Sequence, residues 1–371
     1  MSSAATTEDG PVESPLGSVE PPAVDLEVRP SLPADDAERD AFVETRPEGT
    51  FFHLAGWGRV VERAFRHRRR DLLALRDGRI VGVLPMMQSP SLLGPLGRPK
   101  LISMPFAVYG GPCGEDHAVC LALVEEAKRL AEVESMGRLE LRCREDPGLD
   151  LPGSDLYATF AAPLPATPEE ALSGMPKKSR AEARKARERH GLRLSEGIWY
   201  LDDLYRLFQL NKRNLGSPAL PHAMFHCLWR EFGDRVRVHL VHRDRMPVSA
   251  VMSFLWRDTV MAYYAGTVPG ADRECSASNF MYMALREWSI REGFKQFDFG
   301  RSRKDSGAFR FKEHQGFVGR DLNYRYYLVG NAQLPSFTPS NPKTRILREI
   351  WSRLPLTATQ RMSRTLARYL P

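Results

Sequence analysis

The chain has 371 residues, 42% hydrophobic and 27% charged, a balance that excludes a wholly disordered, collagen-like or coiled-coil protein. That length is two to three times the usual domain of ~100–150 residues, so two domains are expected, and no run approaches the roughly 18 apolar residues of a membrane-spanning helix. The net charge of +7 is uneven: residues 1–40 hold ten acids and two bases, a balance of −8, so the rest of the chain carries +15, which favours an anionic partner.

Residues 1–24 are rich in Ser, Pro, Gly and acids without periodicity, which predicts a disordered acidic tail with no secretory signal. A first domain is expected over 25–165. It opens with a helix carrying His53 and Trp57. A hairpin follows, with Asp71–Leu75 and Ile80–Met87 joined at Asp77-Gly78. Asp116–Met136 has helical period, with Leu121, Leu123, Val124, Ala127 and Leu130 in one stripe, and Leu139–Cys143 is a strand. Pro163, Pro165 and Pro168 mark a boundary. The second domain, 166–330, begins with a basic helix, Lys177–His190, then amphipathic helices over Asp202–Asn214 and Ala223–Phe232. Three strands fill Val236–Ala265, with turns at Arg243-Asp244 and Arg257-Asp258; helix Asn279–Arg291 and strands at Phe297–Phe299 and Leu322–Leu328 complete it. Residues 331–371 are expected to form basic amphipathic helices. The stretch near 72–86 parallels that near 239–254 as strand, charged turn, strand, which predicts a duplicated mixed α/β domain.

Chemistry-bearing residues concentrate in 260–317. The loop before the expected helix offers backbone N–H groups at the positive end of a helix dipole, and Ser276, Ala277 and Ser278 let a ligand approach. Ser278 or Asn279 caps that helix; the plain alternative is a capped helix and nothing more. In "FDFGRS", Asp298 stands among aromatics, either as a base facing a cleft or as a strand-end residue bonded to backbone amides or to Arg301. Lys312 follows Phe311 before a glycine turn; on the letters alone it is a solvated surface lysine. Tyr263 and Tyr264 alternate across a strand, so one is expected in the core and the other at a pocket.

Other patterns point away from particular chemistries. Cys113, Cys120, Cys143, Cys227 and Cys275 are scattered and never spaced C-x-x-C, so no disulfide framework or zinc site is expected and a reducing cytosol fits. Cys275 and His314 make no nucleophilic triad. His222 and His226 lie one helical turn apart without the glutamate of H-E-x-x-H, and no metal site is expected. Two basic stretches, 177–193 and 343–368, suit RNA phosphates or an anionic membrane surface, against the default of a solvated face whose apolar side docks on the body.

The ordered series "RNLGSPALP", "FHCLWREFGDRVRVHLVHRDRMPVSAVMSF", "YYAG", "FDFGRS" and "FRFKEHQGF", with "SMPFAVYGGPCG" in the first half, resembles the FemAB/FemX-like transferases, most closely their exosortase/PEP-CTERM-associated branch. The resemblance covers roughly 40–330. It implies two tandem GNAT-like domains, the second bearing the active site, and transfer of an acyl or aminoacyl group onto an amine in cell-envelope, peptidoglycan-precursor or exopolysaccharide metabolism. By that resemblance Lys312 stabilises the transition-state oxyanion; the amine's proton needs an acceptor, and Asp298 is the nearest candidate in sequence. Arg213, Tyr263, Tyr264, Arg301 and Phe311 would hold a small-molecule or nucleotide-linked acceptor, and Arg273, Ser276, Ser278 and Asn279 the donor. No tightly bound cofactor is implied; the donor is aminoacyl-tRNA or acyl-CoA, which makes tRNA a candidate partner. Serines at 276 and 278 stand where coenzyme A-binding GNAT enzymes have glycines, a departure that weighs against acyl-CoA. The implied location is cytoplasmic, peripheral at the inner membrane face through 343–368. A catalytically inactive scaffold of the same fold is the alternative.

Overall fold

The computed structural model describes residues 26–91, 97–330 and 342–370; the tail expected over 1–24 lies outside the described residues. The protein is mixed α/β, and its described residues form sheets of four, six and seven strands. None of the described helices is long and apolar enough to cross a membrane.

The two parallel sequence stretches are both antiparallel hairpins. Leu72–Arg76 pairs with Arg79–Leu84 in the four-stranded sheet, and Val236–Arg243 with Met246–Trp256 in the seven-stranded one. Asp77 and Gly78 both take positive φ, 50° and 74°, the backbone a two-residue turn of matching twist requires. The expected helix over Asp116–Met136 runs His117–Val133, with Asp116 as its cap accepting from the Val119 amide at 2.8 Å; Leu121, placed in its stripe, is exposed. His53 ends a short turn, Phe51–His53, and Trp57 lies in the separate helix Ala55–Phe65.

The seven-stranded sheet has the order Leu192–Glu196, Val236–Arg243, Met246–Trp256, Thr259–Thr267, Gln296–Arg303, Tyr157–Pro163, Arg320–Asp321. All pairs are antiparallel except Thr259–Thr267 with Gln296–Arg303. That parallel pair matches Thr259 with Gln296, Val260 with Phe297 and Met261 with Asp298, and pairing then stops although both strands continue. The strands part, and a cleft opens between their continuations. A bulge sits beside it: Ser253 opposes Ala262 and Met252 opposes Tyr264, so Tyr263 is the extra residue.

Strand pairing does not follow the boundary expected at 165/166. Tyr157–Pro163, from the first half of the chain, pairs in the second half's sheet against Gln296–Arg303. Asn323–Leu328, from the second half, pairs with Arg138–Cys143 in the six-stranded sheet. Period-two alternation fixes which faces a strand buries and carries no information about its partner, so the exchange left no mark in the pattern. The core is shared as well: Phe51 stacks on Phe254 with centroids 4.7 Å apart, in one buried cluster with Trp57, Phe225 and Tyr324.

Helix Leu201–Asn214 lies directly on the strand Thr259–Thr267 at Gly266, where a Cβ would stand 2.4 Å from the Phe208 amide nitrogen. The C-terminal helices Pro342–Arg353 and Leu356–Leu366 also pack on that helix. Gln360 donates to Gln209 at 2.6 Å, the Ala219 amide donates to Ser363 at 3.1 Å, and Trp351 is buried. The expected docking of the apolar side is only partial, since Ile346, Leu347 and Ile350 are 55%, 66% and 54% exposed.

Candidate functional site

The cleft where the parallel strands part is a cavity of about 530 Å³. One wall is Ala262–Ala265 and the other Phe299–Ser302. Helix Leu201–Asn214 contributes Phe208, Asn211 and Lys212, and the first half of the chain Phe106 and Val108. Leu370, near the chain's end, reaches its edge.

Lys312 enters from the helix Gly307–His314, capped by Ser306, whose hydroxyl accepts from the Phe309 amide at 3.1 Å. It is the buried residue of that helix, 8% exposed, which overturns the reading of a surface lysine. Its Nζ donates to the carbonyls of Phe299, Gly300 and Arg301 at 2.8, 2.9 and 3.1 Å. Gly300, at φ 65°, makes the turn that brings these carbonyls together. Burial pulls the lysine pKa down to about 7, against the upward pull of the Asp298 carboxylate, while Arg301 adds to the depression.

Asp298 is buried and outside the cavity lining. One oxygen accepts from the Gly300 amide at 2.6 Å, the other from the Tyr109 hydroxyl at 3.0 Å. Burial raises its pKa, opposed by those two donors and by Lys312. The alternative of a carboxylate bonded to backbone is the one observed, and a base facing the cleft is not. Tyr109 also bonds Thr159, so the exchanged strand Tyr157–Pro163 helps fix Asp298.

Tyr263 and Tyr264 both line the cavity, their rings 4.7 Å apart, against the expectation of opposite faces. The bulge at Tyr263 supplies the reason: an extra residue breaks the alternation. Tyr263 donates to the Phe106 carbonyl at 2.8 Å, and the buried Tyr264 hydroxyl has no partner among the described residues. Arg301 lines the cavity, donates to the Tyr324 hydroxyl at 3.0 Å and lies over the Tyr157 ring at 4.6 Å. Its pKa is raised despite burial, chiefly by the tyrosines around it.

Arg213 is not in the cleft. It lines a small crevice with Gln209, Trp351 and Gln360 beneath the C-terminal helices. Its neighbour Lys212 lines the cleft instead, over the Phe208 ring at 5.3 Å, with a pKa lowered by burial and then by Arg301. The signal for Lys212 was available: Phe208, Asn211 and Lys212 stand at i, i+3 and i+4 on one helical face. Phe311 stays outside the lining and packs on Tyr282, centroids 5.6 Å apart.

The expected donor loop meets carboxylates. The N-cap of helix Ala277–Arg291 is Ser276, not Ser278 or Asn279, and the Asp272 carboxylate of the preceding short helix accepts from the Ser278 amide at 2.7 Å and the Ser278 hydroxyl at 3.0 Å. The Ser276 hydroxyl donates to Glu182 at 2.5 Å, and Asn279 accepts from Gln315 at 2.7 Å. Arg273 stands exposed on the preceding short helix. Among the described residues the cleft is lined by Lys212, Arg301 and Lys312 and by no carboxylate. Aromatic walls and three cations suit an elongated ligand with an anionic group.

Residues 174–313 match the acetyltransferase (GNAT) domain family. No curated protein matches the sequence. Among solved structures the chain is similar to FemX, with TM-score 0.61 at 13% identity over 88% of this chain and 100% of that one. It is also similar to a tandem GNAT protein from the clavulanic acid biosynthesis pathway, with TM-score 0.53 at 15% identity over 83% of this chain and 100% of that one. L-PGS from Bacillus licheniformis aligns with TM-score 0.52 at 15% identity, over 86% of this chain and 98% of that one. At these identities the likeness is one of fold. The chain is a mixed α/β protein with the fold of tandem GNAT-like domains, and its residues 174–313 are similar to the acetyltransferase (GNAT) domain family.

Proposed function

We propose that the protein transfers an acyl or aminoacyl group from an activated donor to an amine in the cleft beside Lys312. The observation that carries this reading is a buried lysine fixed by three carbonyls at the mouth of two parting strands, in a cavity lined among the described residues by cations and no carboxylate. The amine attacks the donor carbonyl directly, the carbonyl oxygen gains negative charge, and the Lys312 ammonium stabilises it, an effect worth roughly 10²–10³ in rate. As the tetrahedral intermediate collapses, the bond from carbon to the donor's leaving atom breaks and the acyl–nitrogen bond remains. An alkyl amine with a pKa near 10.4 is about one part in a thousand neutral at pH 7, so its proton must be taken up. Asp298 is enclosed and acts as a positioning residue for Gly300 and the carbonyls that hold Lys312. Lys312 stays an ammonium throughout, and the proton shed by the attacking nitrogen passes to the donor's leaving atom as the tetrahedral intermediate collapses.

Lys212 and Arg301 would bind the anionic group of one substrate. The Asp272 carboxylate on the Ser278 amide lies where a coenzyme A pyrophosphate would approach the helix, and favours aminoacyl-tRNA as donor. The motif series resembling exosortase/PEP-CTERM-associated proteins supports a cell-envelope or exopolysaccharide acceptor. Seven bases against one acid over 343–368, with Ile346, Leu347 and Ile350 outward, support peripheral contact with an anionic membrane. The test is mass spectrometry of envelope-derived amines incubated with the protein and either charged tRNA or acetyl-CoA. A transferred mass with charged tRNA, lost in Lys312→Ala, is expected. No transfer from any donor leaves the scaffold alternative.

A further inference from the structure

The absence of a metal site was expected from His222 and His226 alone, and the fold adds a third ligand from a different helix. Asp202, in the first turn of helix Leu201–Asn214, places its Oδ1 2.9 Å from His222 Nε2 and 3.9 Å from His226 Nε2. The two histidines lie one turn apart on helix His222–Phe232, rings 4.4 Å apart, and one ligand atom from each residue falls within 4.8 Å of the others. A tetrahedral ion with bonds of ~2.1 Å separates its ligand atoms by roughly 3.4 Å, so the triad closes on an ion by movements of about an ångström. The side chains are 42%, 38% and 82% exposed for His222, His226 and Asp202, which leaves the outer coordination position open to water. The Tyr205 ring, 4.5 Å from His222, forms an aromatic wall on one side.

We propose that Asp202, His222 and His226 form a binding site for a divalent transition metal, with Zn²⁺ as the matching ion. Two imidazole nitrogens and one carboxylate oxygen select this class over Mg²⁺ and Ca²⁺, which take oxygen ligands. The ion joins the first turn of helix Leu201–Asn214 to the start of helix His222–Phe232. The former helix presents Phe208, Asn211 and Lys212 to the cleft and rests on Gly266, so the site braces a cleft wall from outside.

The experiment uses the untagged full chain, stripped with chelator and titrated with ZnCl₂ by calorimetry, with thermal unfolding followed in parallel. One ion per chain and a rise of a few degrees in Tm are expected, with MgCl₂ producing neither. Asp202→Asn weakens binding about tenfold and His222→Ala/His226→Ala at least a hundredfold, while the Tm of the stripped protein shifts little because these side chains are exposed. Zinc binding of undiminished affinity in the double variant, or no binding at 100-fold excess, overturns the site. Neither readout depends on transfer activity, so the result stands apart from the proposed reaction.

Discussion

A lysine ammonium is a compact, strongly hydrated charge, and enclosing it is unfavourable unless acceptors replace its water. Lys312 has three, all backbone carbonyls from Phe299 to Arg301. Its pKa, down to about 7, fixes a sign. Between pH 7 and the unfolded value near 10.4 the unfolded chain binds more protons at this position, so its contribution to stability rises with pH across that window. Lys312→Met should therefore fold with an unchanged or higher Tm at pH 7 while transfer falls a hundredfold or more, measured by calorimetry and initial rates. Because the ammonium is the stabilising form, the rate declines as pH rises through about 7, and Lys312→Arg moves that decline upward. Lys212→Ala should raise KM for the anionic substrate about tenfold, ~1.4 kcal/mol, with Arg213→Ala within twofold of wild type. An equal loss in both would return the anion to the expected Arg213. The letters "KRN" place the two about 100° apart and put Lys212 on one face with Phe208 and Asn211, but only the helix's seating says that this face turns to the cleft.

At the scale of elements, the legible features were those that local chemistry decides. The Asp77-Gly78 turn and the Asp116 boundary follow from φ preferences and capping and stand where the residues put them; the stripe that periodicity gives buries Leu123, Val124 and Ala127 and leaves Leu121 exposed. Features set by a neighbour were not legible. The bulge at Tyr263 needs the register of the opposing strand, and the Asp272 carboxylate on the Ser278 amide needs a short helix to fold back over the next one. Gly266 belongs to the same class. Its missing side chain is what lets helix Leu201–Asn214 rest on the strand, and a Cβ there meets the Leu207 carbonyl carbon at 2.4 Å. Gly266→Ala must push the helix outward, costing ~1–3 kcal/mol, and displaces Phe208 and Lys212 from the cleft together. A lowered urea midpoint accompanied by a raised KM is expected; a stability loss with unchanged KM would mean that the cleft wall does not depend on this contact.

The two halves of the chain are separate in sequence and joined in space, and the exchanged strands do the joining. Without Asn323–Leu328 the six-stranded sheet loses the strand between Arg138–Cys143 and Gly153–Ser154, together with the buried Tyr324 and Tyr326. Without Tyr157–Pro163 the second sheet loses the strand flanking Asp298, and with it Thr159. Each half made alone would expose a long unpaired edge and part of the cluster in which Phe51 stacks on Phe254, a combination that promotes aggregation. Separate expression of 26–165 and 166–371 should therefore give insoluble or dye-binding material, and co-expression a soluble complex with the unfolding transition of the intact chain. Transfer activity should follow the complex, because Phe106, Val108 and Tyr109 come from one half and Lys312 from the other. A half that unfolds cooperatively by itself with native-like circular dichroism would show that the exchange is ornament, and that the sequence boundary near 165 is also the physical one.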